Sequence, residues 1–475
     1  MTGKRRRIDR AEVLSKNIPK TYCFTERDLH LFELPQIFSA CSLWLESGMA
    51  SSLATFDLVV REMPPNRNFL LMGGTEEIIQ GISNWGYTKD EIHYLAKNKI
   101  ITPNLAEHLE GIHFTGSLYA LPEGTIFFPG EPVLRITAPL VEGNLLTMFL
   151  INAFVSNTVP LSKAVRGVIA AKDKKFLSSA SLRAQSSESA FKYGRAVYLS
   201  GGHGSTMIPS FCRKYHLPFL DASRKLYHMV VQSFPTEIDS MRKITSVFPS
   251  TMDFMVDTYD FEKGIKNAIL VATELRKKGN SIRGITIDSG DLYKRSVRAR
   301  KLLDKAGLKD ISITVASNLD EKKIDALSDR NAPIDQFLAI TEMISSRDAP
   351  SLEAVYKLAE LQRGSALIPK AKLIFGKVSY PGKKQVFRVY KKGKMRKDVV
   401  GMSDERLGRP LLKKLIEKGT RVYTLPSLEK IRASVGDQLK KLPPRLLSIK
   451  KQYAYRVEIS RGLRKLMRQV RKAHQ

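Results

Sequence analysis

The chain has 475 residues, 43% of them hydrophobic, which is enough to bury a substantial core and to divide into two domains. Lys and Arg number 78 against 47 Asp and Glu, and the formal net charge of +31 attracts polyanions such as nucleotides, pyrophosphate or RNA without choosing among them. The longest apolar stretch, Leu145 to Val155, falls short of the ~20 residues a membrane helix needs. No signal peptide follows the charged start MTGKRRRIDR, and Cys23, Cys41 and Cys212 lack CxxC spacing, so a cytoplasmic protein with free thiols and no membrane partner is expected.

In chain order, residues 1–20 read as a basic tail. ATFDLVVREMPP (54–65) and SLYALPEGTIFFPGEPVLRITAPL (117–140) flag strands, with helices between them. After Gly-rich YLSGGHGSTMI (198–208), short apolar runs recur at a spacing of one strand plus one helix: LPFL at 217, MDFMVDT at 252, RGITIDS at 283, ISITVAS at 311 and IDQFLAI at 334. The segments 261–279 and 292–307 between them end in Lys or Arg and then Gly, as helices do. Such alternation predicts parallel β/α units closing, or nearly closing, into a barrel. Beyond Leu367 the pattern is antiparallel again, with PGKK as the turn joining two strands, and Pro443 to Gln475 is basic and partly helical, better read as a solvated tail than as an RNA contact. The expected fold class is α/β: an irregular β/α barrel over 156–366, plus an α+β domain built from both termini over 21–155 and 367–475.

Barrels of this kind carry their chemistry at the C-terminal ends of the strands. The residues placed there are Asp221 to Lys225, then Asp257, Thr258 and Asp260, then Asp288 to Asp291, then Ser317 and Asn318, and lastly Thr341 and Glu342. Asp288 and Asp291 flank a Ser-Gly turn, where two carboxylates can bind hydroxyls or a metal-chelated polyphosphate. An isolated DSGD would more plainly N-cap the helix starting near Leu292. VDTYD at the neighbouring strand end shifts the balance toward a site.

ATFDLVVREMPPNRNFLLMGG, FTGSLYALPEGTIFFPGEPVLRITAPLVEGNLL, VDTYDFEKGIKNAI, ITIDSGDL, SLEAVYKLAEL, PGKKQVFRVY and YTLPSLEKIR together resemble the nicotinate phosphoribosyltransferase family, in matching order from about Leu29 to about Pro444. The resemblance implies a type II phosphoribosyltransferase fold and a homodimer with sites near the subunit interface. It also implies formation of nicotinate mononucleotide and pyrophosphate from nicotinate and phosphoribosyl pyrophosphate in NAD salvage, normally coupled to ATP hydrolysis. Carboxylates holding ribose hydroxyls or Mg2+, and cations holding phosphates, suit a transition state with positive charge on the sugar and negative charge on the leaving group. The matching positions are Asp288 and Lys225 as catalytic residues, with Arg183, Lys163, Arg166, Asp257, Ser289, Asp291 and Thr341 as substrate ligands; no metal-binding set belonging to the protein itself is expected.

Several ligand loops depart from the family pattern. SASLRAQ (179–185) keeps Arg183 but has Leu182 where the family has a second arginine, and HLF (30–32) replaces Asp-Leu-Tyr. Lys225 stands at the position of the histidine whose phosphorylation couples ATP hydrolysis, so ATP coupling is not expected, and His228 reads as structural. LAIT (338–341), followed by Glu342, replaces a Gly-rich phosphate loop. The alternative function is a catalytically impaired family member acting as a binding or dimerisation scaffold.

Overall fold

The computed structural model describes residues 31, 33–178, 182–203, 209–217, 225–250 and 252–474. Asp221, residues 218–220 of the LPFL run, Cys23, His30 and Phe32 lie outside these. Cys41 and Cys212 are buried.

Six strands form one parallel sheet: Lys175–Leu177, Lys225–Leu226, Asp253–Met255, Gly284–Ile287, Ser312–Val315 and Gln336–Leu338. The first pairs with the last, and the others follow in sequence order, which is the cyclic order of a β/α barrel. Among the described residues the only seam without a ladder lies between 175–177 and 225–226. Alternation along the strands sorts the two faces. Phe254, Ile285, Ile287, Ile313, Val315 and Phe337 are fully buried in one cluster with Ile265 and Ala268 of the helix Phe261–Arg276 and Ala299 and Leu303 of the helix Leu292–Lys305. Asp253, Gly284, Ser312, Thr286, Thr314 and Gln336 therefore line the lumen. In register, Asp253 stands beside Gly284 and Ser312, and Met255 beside Thr286, Thr314 and Gln336.

Gly284 is demanded by this lumen. A Cβ there would lie 2.7 Å from Asp253 Oδ1 and closer still to Ser312 Oγ. Gly284→Ala should destabilise the protein by about 1–3 kcal/mol through overpacking. A urea midpoint unchanged by that substitution would show slack in the lumen.

The second layer is a seven-stranded antiparallel sheet in the order Ala366–Pro369, Ala354–Arg363, Leu53–Val60, Pro132–Pro139, Ser117–Ala120, Lys413–Glu417, Thr420–Arg421. SLEAVYKLAEL thus contributes the strand Ala354–Arg363, paired with Leu53–Val60, so the barrel segment ends before 354 and not at 366. An alternating pattern marks a strand but not the sheet it joins. The 155/156 boundary is also displaced, because it falls inside the helix Thr147–Ala171. Phe149, Leu150 and Phe154 of that helix pack into the core of this sheet, while Leu161, Ala164 and Val165 pack into the barrel core. By length and composition residues 140–171 could cross a membrane, yet their apolar side chains are distributed between these two cores.

A four-stranded sheet, in the order Arg409–Pro410, Lys384–Lys391, Lys394–Met402, Val457–Ile459, completes the fold. Its hairpin turns at Lys392 and Gly393, with φ 49° and 73°, the two left-handed residues that a two-residue turn requires. PGKK (381–384) therefore leads into the first strand and is not the turn. The C-terminus is docked and is not a solvated tail. Val457–Ile459 pairs with Lys394–Met402, and the helix Arg461–Lys472 buries Leu463, Met467 and Val470, whose spacing places them on one face.

Candidate active site

Because the barrel strands are parallel, Asp257, Asp288, Ser317 and Thr341 follow strand ends on the same side of the sheet. Asp257 is the buried organiser. Its Oδ2 accepts the Asp288 N–H at 2.8 Å and the Ser289 hydroxyl at 2.6 Å, and Arg295 lies 3.7 Å away. Arg295 donates to Ser289 O and Oγ and crosses Gly290, where its Nε would sit 2.5 Å from any Cβ; Gly290, at φ 72°, is required on both counts. Asp291 accepts from the Lys294 N–H at 3.0 Å and caps the helix Leu292–Lys305, so its exposed carboxylate has the plainer of its two expected roles.

Asp288 is left facing the mouth. Ser317, at φ 81° and followed by Asn318 at 45°, aims its backbone N–H at the Asp288 carboxylate. Two successive left-handed residues that are not glycine mark this loop as strained. His228, at the start of the helix His228–Gln232, places Nδ1 3.0 Å from Thr258 Oγ1 and Nε2 3.9 Å from Asp288 Oδ2. Burial first, then the Asp257 carboxylate, raises the pKa of Asp288, against His228, Lys225 and the Ser317 N–H.

Lys225 is not in the loop after its strand but inside it, opposite Asp253. Its ammonium points into the lumen, donating to Thr286 Oγ1 at 2.6 Å with Asp253 Oδ2 at 3.6 Å. Burial lowers the Lys225 pKa and raises that of Asp253, outweighing on each side the attraction between them. Asp253 Oδ1, Thr314 Oγ1 and Gln336 Oε1 are buried in this lumen with no hydrogen-bond partner among the described residues.

Lys163 and Arg166 are already engaged by carboxylates. Lys163 donates to Glu321 at 2.6 Å and Asp348 at 2.9 Å; Arg166 donates to Glu321 at 3.0 Å and to Ile449 O at 3.1 Å. Arg67 adds bonds to Asp348 at 2.7 and 3.3 Å. Burial opposes ionisation of Glu321 and Asp348, but these cations hold both carboxyls below the usual range. The cluster ties the barrel to both chain ends, with three cations on two carboxylates. Arg183 is exposed and, among the described residues, donates to the Leu182 carbonyl. Thr341 opens the short helix Thr341–Ile344; the adjoining Glu342 is paired with Arg347 at 3.1 Å, and Leu338 and Ile340 are half-buried.

The residues thus brought together are Asp257, Thr258, Asp288 and Ser289, which the sequence places at the strand ends, with His228, which it reads as structural, and Arg295, which it does not single out. The sequence signal for His228 was its place just after a strand end, concealed because that strand was assigned to LPFL. Among the described residues, no group of three or more His, Cys, Asp or Glu could hold a metal ion.

A parallel sheet in barrel order with carboxylates at its mouth, packed on an antiparallel sheet drawn from both halves of the chain, is the type II phosphoribosyltransferase architecture. The crystal structure of human nicotinic acid phosphoribosyltransferase matches it with a TM-score of 0.81, covering 92% of this chain and 99% of that one at 22% identity. Models of the N-terminal and C-terminal domains of nicotinate phosphoribosyltransferase match residues 37–155 and 405–467. A nicotinate phosphoribosyltransferase of Mycobacterium tuberculosis is 33% identical over 431 residues, covering 90% of each chain. That of Bacillus subtilis is 31% identical over 471 residues, covering 92% of this chain and 94% of its own. The chain belongs to the nicotinate phosphoribosyltransferase family.

Proposed function

We propose that the protein forms nicotinate mononucleotide and pyrophosphate from nicotinate and phosphoribosyl pyrophosphate in NAD salvage, as a cytoplasmic homodimer. The observation that carries this reading is the Asp288 carboxylate, set on a turn that Asp257 organises and facing His228. As the ribose C1 bond to pyrophosphate breaks, positive charge grows on the sugar, and a fixed carboxylate stabilises it. Asp257 keeps Ser289 and the Asp288 backbone in place, while Asp288 takes a ribose hydroxyl. Mg2+ is held in such sites by one or two carboxylates together with substrate phosphates, and Asp288 is the carboxylate here that fits, Asp291 being engaged as a cap. Bound there, Mg2+ would neutralise charge developing on the leaving pyrophosphate. With Lys163 and Arg166 committed to Glu321 and Asp348, the exposed Arg183 remains as the ligand for the nicotinate carboxylate.

ATP coupling passes, in this proposal, through His228 and not through Lys225. A phosphoryl acceptor needs a lone pair at the site. In the tautomer that donates Nδ1–H to Thr258, Nε2 would carry its lone pair beside Asp288, while the Lys225 ammonium is directed into the lumen. ATP is therefore expected to stimulate nicotinate mononucleotide formation and leave an acid-labile phosphohistidine. His228→Ala should abolish both effects, and Lys225→Met should retain the phosphoprotein. Stimulation that survives in His228→Ala would assign coupling elsewhere. The half-buried Leu338 and Ile340 beside Thr341, where a Gly-rich loop would cradle phosphate, favour the alternative of an impaired scaffold. Absence of product with and without ATP from folded protein would establish that alternative.

A further inference from the structure

The C-terminal segment is strongly basic. Between residues 443 and 474 there are ten Lys or Arg and one acid, Glu458. Glu458 is already engaged by Lys397 and Arg456. The helix Arg461–Lys472 contains no acid. Its exposed residues Arg461, Arg464, Lys465, Arg468, Arg471 and Lys472 fall, at 3.6 residues per turn, within an arc of about 120° and along about 16 Å of axis. Leu463, Met467 and Val470 occupy the opposite face and are buried. Among the described residues no carboxylate pairs with any of the six cations. Glu405, beside Gly462, accepts from the Met402 N–H. Arg464 is anchored by two bonds to Ile459 O, at 2.9 and 2.7 Å.

Like charges three and four residues apart destabilise a helix by about 0.2–0.5 kcal/mol per pair. This stripe therefore opposes the helix that carries it, and docking of the apolar face keeps it folded. We propose that the stripe is a docking surface for the phosphodiester backbone of nucleic acid, separate from the catalytic site. Insertion into a membrane as an amphipathic helix requires a free apolar face, and that face is occupied by the protein's own core. With no aromatic side chain on the helix to stack on a base, the contact is with phosphates and is sequence-independent.

The test uses the full chain and a fluorescent duplex of about 20 base pairs, with anisotropy recorded across a NaCl series. Lys465→Gln, Arg468→Gln and Arg471→Gln combined should make the slope of log K against log salt shallower by about 2.7, from about 0.9 per lost phosphate contact, and weaken binding about 100-fold or more near ~0.1 M salt. Lys97→Gln, Lys277→Gln and Lys430→Gln combined remove the same charge from dispersed exposed sites and should leave the slope unchanged. Equal weakening by both triple variants would assign the attraction to overall charge and overturn the proposal. So would no duplex binding by the unmodified protein, or stripe-dependent binding to phosphatidylglycerol vesicles alone.

Discussion

Asp288→Asn is expected to lower kcat/KM for nicotinate mononucleotide formation by about 10²–10³-fold with the fold intact, the usual cost of removing one preorganised electrostatic group from a site. The amide is the same size and keeps an acceptor oxygen, so the loss isolates charge. Asp257 continues to hold the turn through the Asp288 backbone and the Ser289 hydroxyl. Asp291→Asn keeps a capping oxygen for Lys294 and should leave kcat/KM nearly unchanged. Because burial and Asp257 raise the Asp288 pKa, the carboxylate takes up its proton at higher pH than an ordinary aspartate. Activity that needs it ionised should fall on an acidic limb displaced upward, and Asp288→Asn should remove that limb. Equal kcat/KM for wild type and Asp288→Asn would exclude Asp288 from the chemistry.

Glu321→Gln is expected to destabilise the protein by about 3–5 kcal/mol, the cost of stranding buried charge. Lys163 and Arg166, both buried, lose their shared partner, and Asp348 alone must balance them and Arg67. The urea midpoint followed by far-ultraviolet circular dichroism measures the loss. Glu262→Gln breaks the exposed pair with Arg298 and should change the midpoint far less. The cluster also sets an acid limit. Glu321 and Asp348 are held below the unfolded-chain values of roughly 4, so their contribution is present above that pH and is lost as pH falls through the folded-state values. Acid unfolding of Glu321→Gln should begin from a lower plateau and change less steeply. A midpoint equal to wild type would show that Lys163 and Arg166 find other partners.

Local chemistry made much of the barrel legible. Ile285, Ile287, Ile313 and Val315 lie in short β-branched runs, and the helices Phe261–Arg276 and Leu292–Lys305 begin at capping aspartates, Asp260 and Asp291. Parallel strands then place Asp257 and Asp288 at one end, since all the strands share a direction. The short strands Lys175–Leu177 and Lys225–Leu226 were not legible, because so few residues carry no period. Their absence from the expected strand list put Lys225 into a loop and made His228 look incidental.

What the sequence determined by itself was the succession of β/α units, the caps, the carboxylates at the strand ends and, through the quoted segments, the family. These depend on residues near one another in the chain, where hydrogen bonding and steric preference act over a few positions. Tertiary structure alone decided which charges are free. Lys163 and Arg166 look like free anion ligands until Glu321, 158 and 155 residues away, closes on them. It likewise turned Lys225 into the lumen, brought His228 to Asp288, and docked the basic C-terminal helix by its apolar face. A charge's availability depends on its neighbours in space, and those pairings join segments that no local pattern connects.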